Sequence, residues 1–117
     1  MYIIKTYKTV TGKRPFREWM DSLRDMQAKV AIETRLDRVI EGNFGPCEPV
    51  GDGVFELKIN LGPGYRVYFG KVGQHIVLLL CAGSKRTQDK DIKTAKIFFE
   101  DYKRREHSHE NEKKYKK

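Results

Sequence analysis

The 117 residues, 38% hydrophobic and 34% charged, suit one soluble domain large enough to bury its own core. No apolar run approaches the roughly 18 residues of a membrane helix, and the opening YIIK turns polar too early for a signal peptide, so a cytoplasmic protein is expected. The net charge of +8 suggests a polyanionic partner, but half of it lies in the tail KRREHSHENEKKYKK, where seven Lys/Arg stand against three Glu.

Tyr2, Ile3 and Ile4 begin a short first strand over YIIKT. PFREWMDSL reads as a helix: Pro15 suits the first turn, and Phe16, Trp19, Met20 and Leu23 share one face. Asp25 is placed to N-cap a second helix, whose stripe is Ala28, Ile32, Leu36, Val39 and Ile40, and Gly42 stops it. So short a connection makes the two helices an antiparallel hairpin. Gly45, Pro46, Pro49, Gly51 and Gly53 then read as a loop.

VFELKIN alternates, with Phe55, Leu57 and Ile59 on one face and Glu56, Lys58 and Asn60 on the other. The turn Gly62-Pro63-Gly64 leads into YRVYF, where Tyr65, Val67 and Phe69 oppose Arg66 and Tyr68. HIVLLLCAG is apolar at nearly every position, as a central strand buried on both faces would be. The last helix begins near Gln88, with Asp89 and Asp91 in its first turn and Ile92, Ala95, Phe99 and Tyr102 on one face. The periodicity ends near residue 104, which predicts one domain over 1–103 and a charged, disordered tail over 104–117.

The order β-α-α-β-β-β-α, with the hairpin covering one face of a small sheet, is an α+β fold. The uncovered face would show Glu56, Lys58, Arg66 and Tyr68, with Lys85 and Arg86 leaving the adjoining strand. Four cations around a phenol suit a phosphodiester, since Arg forks onto phosphate and Tyr68 could stack on a splayed base. RNA cleavage then needs no metal. Crowding by cations would favour the neutral amine of Lys58, which could take the 2′-hydroxyl proton, while Arg66 and Arg86 stabilise the phosphorane charge. Blander readings stand beside these: a solvated Lys58, a cross-strand pair between Arg66 and Glu56, and Tyr68 as an amphipathic packing residue. Cys47 and Cys81 have neither zinc nor redox spacing and read as buried free thiols; His75, His107 and His109 have no metal-ligand spacing.

GVFELKINLGPGYRVYF followed by IVLLLCAGSKRTQDKDIKTAK resembles the RelE/ParE superfamily of type II toxins, in particular the HigB-like addiction module killer proteins. The likeness runs from about Tyr2 to Tyr102, in the ordered motifs ELKI, GYRVYF, LLLC-x-G-x-K and the DI-x-x-A helix. It implies a RelE-like fold over 1–103, with the hairpin on a small, mainly antiparallel sheet and a C-terminal helix. It also implies a toxin that cuts mRNA on the translating ribosome without a cofactor. The implied partners are the ribosome, mRNA and a cognate antitoxin, commonly of helix-turn-helix type, with operator DNA bound only through the toxin–antitoxin complex and no membrane.

Lys58 matches the lysine on the second strand of RelE-type enzymes, Arg66 the arginine of the GYR motif, and Arg86, or else Lys85, the arginine after the last strand. The chain departs from RelE at TQDKDI, which lacks the tyrosine at the start of the last helix, and at Glu56, near a second RelE lysine. Gln88 and Asp89 are the substitutes at hand. The rivals are a ParE-like toxin binding DNA gyrase, which would need fewer catalytic groups, and a basic RNA-binding module without chemistry.

Overall fold

A computed structural model describes residues 1–115, with side chains through residue 107. The elements are β1 (Ile3–Thr6), α1 (Pro15–Ser22), α2 (Met26–Ile40), β2 (Cys47–Gly51), β3 (Val54–Ile59), β4 (Tyr65–Val72), β5 (Ile76–Ser84) and α3 (Gln88–Tyr115). A 3₁₀ turn, Lys85–Thr87, joins the last two. Local chemistry sets these boundaries. Pro15 occupies the first turn of α1, where its missing N–H costs nothing. Asp25 caps α2 by accepting from the amides of Gln27 and Ala28. Gly42, at φ +94°, lets the chain turn away after α2.

The five strands lie in the order β1-β5-β4-β3-β2; β1 runs parallel to β5 and every other pair is antiparallel. The fold is α+β with a mixed sheet. It has one strand more than the sequence suggests, because β2 forms where a loop is expected. Pro49 is tolerated there since β2 is an edge strand, where a missing N–H can face away from the ladder. β5 is buried and paired on both sides, but β4 is the middle strand.

Phe16 and Met20 of α1 and Ala28, Ile32 and Val39 of α2 pack on Leu57, Val67, Phe69, Val77 and Leu79, so both helices share one face of the sheet. The second face is covered as well. Ala95 and Phe99 of α3 bury Val54, Tyr68, Leu78 and Leu80, which corrects the expectation of an open face. Gly70 makes room for this helix: a β-carbon there would lie 2.5 Å from the Phe99 ring. The β4–β5 register slips between Tyr68 and Phe69, which pair with Cys81 and Leu79, so Leu80 has no partner on β4. A bulge of this kind re-aims the residues beyond it and sets Gly83 opposite Arg66.

α3 also passes the limit set by its apolar stripe. Arg105, expected in a disordered tail, donates to the Asp101 carboxylate at 3.0 Å and the Lys8 carbonyl at 2.6 Å. The structured region therefore does not stop at residue 103. Residues 116–117 lie outside the described residues.

Candidate phosphate-binding site

The end of the sheet where β3 leaves and β4 enters gathers most of the expected residues. Lys58 and Arg66 face each other in register across β3 and β4. Gly64, at φ +79°, closes the turn between those strands by donating to the Leu61 carbonyl. Its own carbonyl accepts from the Lys85 amide at 2.7 Å, which fixes the start of the 3₁₀ turn beside β4. A β-carbon on Gly64 would sit 3.5 Å from Arg66 Nη1 and 3.6 Å from Lys85 Cβ, so the turn lies against both residues. Arg86 follows, exposed in the turn, and lines a shallow concavity with Gln88, Asp89 and Lys90. Lys58, Arg66 and Lys85 are thus brought together. Arg86 is adjacent through the chain but makes no hydrogen bond to them among the described residues.

Arg66 is an unusual cation for a sheet surface, being only 6% exposed. Nη1 donates to the Tyr65 carbonyl at 2.9 Å, and Nε lies 3.9 Å from Glu56 Oε1, inside ion-pair range but too far for a hydrogen bond. Nε is buried with no hydrogen-bond partner. The guanidinium is held by charge and one carbonyl; with Nη1 bonded and Nε buried, Nη2 is the nitrogen left for an anion.

Glu56 is 1% exposed, and its other oxygen accepts from the Tyr68 hydroxyl at 3.1 Å and from Gln88 Nε2 at 2.7 Å. Tyr68 is wholly buried under α3 and cannot stack on a nucleobase, so its expected role is corrected to that of an internal donor. Burial above all, and then the Glu56 charge, push its hydroxyl far above the ordinary range, which keeps the proton on the oxygen.

Lys58 is half-exposed and pairs with Glu48 on β2. That partner is invisible as long as Cys47–Gly51 reads as a loop. Behind it, Arg35 of α2 donates to the carbonyls of Lys58, Phe44 and Pro46, fastening β3 and the entry to β2 onto the helix. Charges therefore alternate across three strands, with Glu48 against Lys58 and Glu56 against Arg66. Gln88 is the contributor that periodicity missed: its place opening α3 was legible, its contact with a strand 32 residues earlier was not. Among the described residues no group of His, Cys, Asp and Glu could hold a metal ion, and no helix is long and apolar enough to cross a membrane.

No family model matches the chain. A Haemophilus influenzae protein is 49% identical over 82 residues, covering 70% of this chain and 83% of that one; it carries the name uncharacterized protein, which assigns no activity. The chain belongs to the same family as that protein.

Proposed function

We propose that the chain is the toxin of a type II toxin–antitoxin module, a RelE-like, ribosome-dependent mRNA endonuclease of the cytoplasm. The observation that carries the reading is the meeting of Lys58, Arg66 and Lys85 around Gly64, with Arg66 anchored through Nη1 yet keeping Nη2 for an anion. A phosphodiester seated there would receive Nη2 of Arg66 and the Lys85 charge, and Arg86 would add to the field from the turn.

Lys58 is held by an exposed ion pair at the sheet edge, a contact worth about 0–1 kcal/mol, which a phosphate can displace. Freed from Glu48, Lys58 is the group placed to take the proton of the 2′-hydroxyl as general base. The 2′-oxygen bonds to phosphorus, the bond to the 5′-oxygen breaks, and that oxygen leaves with a proton from solvent. The cations stabilise the extra negative charge between those events. Such a small catalytic set suits an enzyme whose message is aligned by the ribosome. The expected partners remain the ribosome, mRNA and a helix-turn-helix antitoxin.

The burial of Tyr68 and the pairing of Lys58 favour a second reading, a ParE-like toxin that inhibits DNA gyrase with the same fold and no RNA chemistry. Adding purified protein to a translation extract separates the two. Cleavage of the translated message that Arg66→Ala abolishes supports the nuclease. Intact message together with inhibited gyrase supercoiling supports the rival.

A further inference from the structure

We propose that Gln88 is a positioning residue that keeps Glu56 from capturing Arg66, so that the arginine stays available to an anion. A buried glutamate beside a buried arginine would ordinarily close a two-toothed ion pair, the strongest geometry open to these groups. Here it does not: the approach of Arg66 Nε to Glu56 Oε1 is 3.9 Å and Nε has no partner. The reason lies on the other oxygen. Glu56 Oε2 already accepts the amide of Gln88 at 2.7 Å and the hydroxyl of Tyr68 at 3.1 Å. Two neutral donors on Oε2 fix the plane of the carboxylate and draw off part of its charge, leaving only Oε1 turned to the guanidinium.

The two donors come from different places. Tyr68 is part of β4 and cannot withdraw without unfolding the sheet. Gln88 is the first residue of α3, only partly buried, so its amide arrives when the helix docks. The docking is tight. Thr87 donates to the Asp91 carboxylate at 2.5 Å, and that carboxylate fills the space over Gly83, the β5 partner of Arg66. The last helix thereby does more than cover the sheet, because its first residue sets how strongly Glu56 holds the arginine.

The consequence for RNA rests on the nuclease reading, whereas the coupling among the three side chains does not. The test is Gln88→Met, close to isosteric and lacking donors, at a partly exposed position where folding is retained. In wild type the Arg66 Nε–H proton, followed by nitrogen-15 NMR, is expected to resonate as an unbonded group. In Gln88→Met it should move downfield and exchange more slowly, as Glu56 takes it. Binding of a short single-stranded oligoribonucleotide should weaken about tenfold, because a closed pair with Glu56 neutralises the charge that the guanidinium presents to phosphate. The salt dependence should become shallower by about 0.7 in slope, as expected when one phosphate fewer is neutralised.

Adding Glu56→Gln to Gln88→Met should return both binding and slope toward wild type, which a purely structural role of Gln88 would not produce. An Arg66 Nε–H signal unmoved by Gln88→Met overturns the inference, and so does weakened binding that Glu56→Gln fails to rescue. If wild type does not bind the oligoribonucleotide at all, the site does not hold RNA without the ribosome, and the NMR comparison alone decides the role of Gln88.

Discussion

Gly83 on β5 and Asp91 on α3 meet so closely that a β-carbon on the glycine would overlap the Asp91 carboxylate and lie 2.8 Å from the Thr87 hydroxyl. Because Gly83 is also the β5 partner of Arg66, one absent side chain seats the helix and gives the arginine its neighbour. Gly83→Ala is expected to cost about 1–3 kcal/mol by overpacking. The urea midpoint should fall with an unchanged m-value. A variant as stable as wild type would mean that α3 is not seated at this point.

Tyr68 serves the fold from inside. Tyr68→Phe keeps the ring and removes one donor from a buried carboxylate, so it should destabilise by about 1–3 kcal/mol. Urea unfolding measures this directly. A neutral effect would show that the hydroxyl does not hold Glu56.

Midway along α3, Tyr7 donates to the Asp101 carboxylate at 2.6 Å, and Arg105 reaches the same oxygen. The Tyr7 hydroxyl, ahead of the nearby arginines, holds the Asp101 carboxyl below its usual value. Folded Asp101 thus binds a proton more weakly than the unfolded chain does. Its stabilisation is complete above the unfolded value of about 3.9 and is lost as pH falls through the folded one. From about pH 5 downward through the folded value, wild type should lose more stability than Asp101→Asn. Parallel thermal melts across the range provide the comparison, and equal slopes would count against the clasp.

The thiols should differ in reactivity. Burial, and then the Asp91 charge, push Cys81 up to about 12, while the half-buried Cys47 is raised less, mainly by burial. Thiolate is the reactive form, so near pH 8 a thiol reagent should modify Cys47 slowly and Cys81 only on unfolding. Modification of Cys81 at the same rate in native protein would show that α3 opens freely over it.

Much of this was legible in the chain. The alternation of Phe55, Leu57 and Ile59, and of Tyr65, Val67 and Phe69, named the face that α1 and α2 cover, and Asp25 and Gly42 bounded α2. β2 was hidden because proline and glycine mark loops and edge strands alike. The covering of the second face was hidden differently. Alternation separates two faces but does not say whether both are buried, and charged Glu56 and Arg66 disguised a core position as a surface one. The stripe Ile92, Ala95 and Phe99 was the available signal, since an apolar helix face must find a sheet to lie on. The pairing of Lys58 with Glu48 and of Glu56 with Gln88 needed strand order and helix docking, which no local pattern carries.

The central claim, a phosphodiester-cleaving site built on Arg66 and Lys58, is tested most directly by mapping mRNA 5′ ends within minutes of induced expression of wild type, Arg66→Ala and Lys58→Ala. The account predicts new ends inside translated frames with wild type, none with Arg66→Ala, and at least a hundredfold fewer with Lys58→Ala, roughly the contribution of a general base. Growth arrest by wild type with every message intact would contradict it.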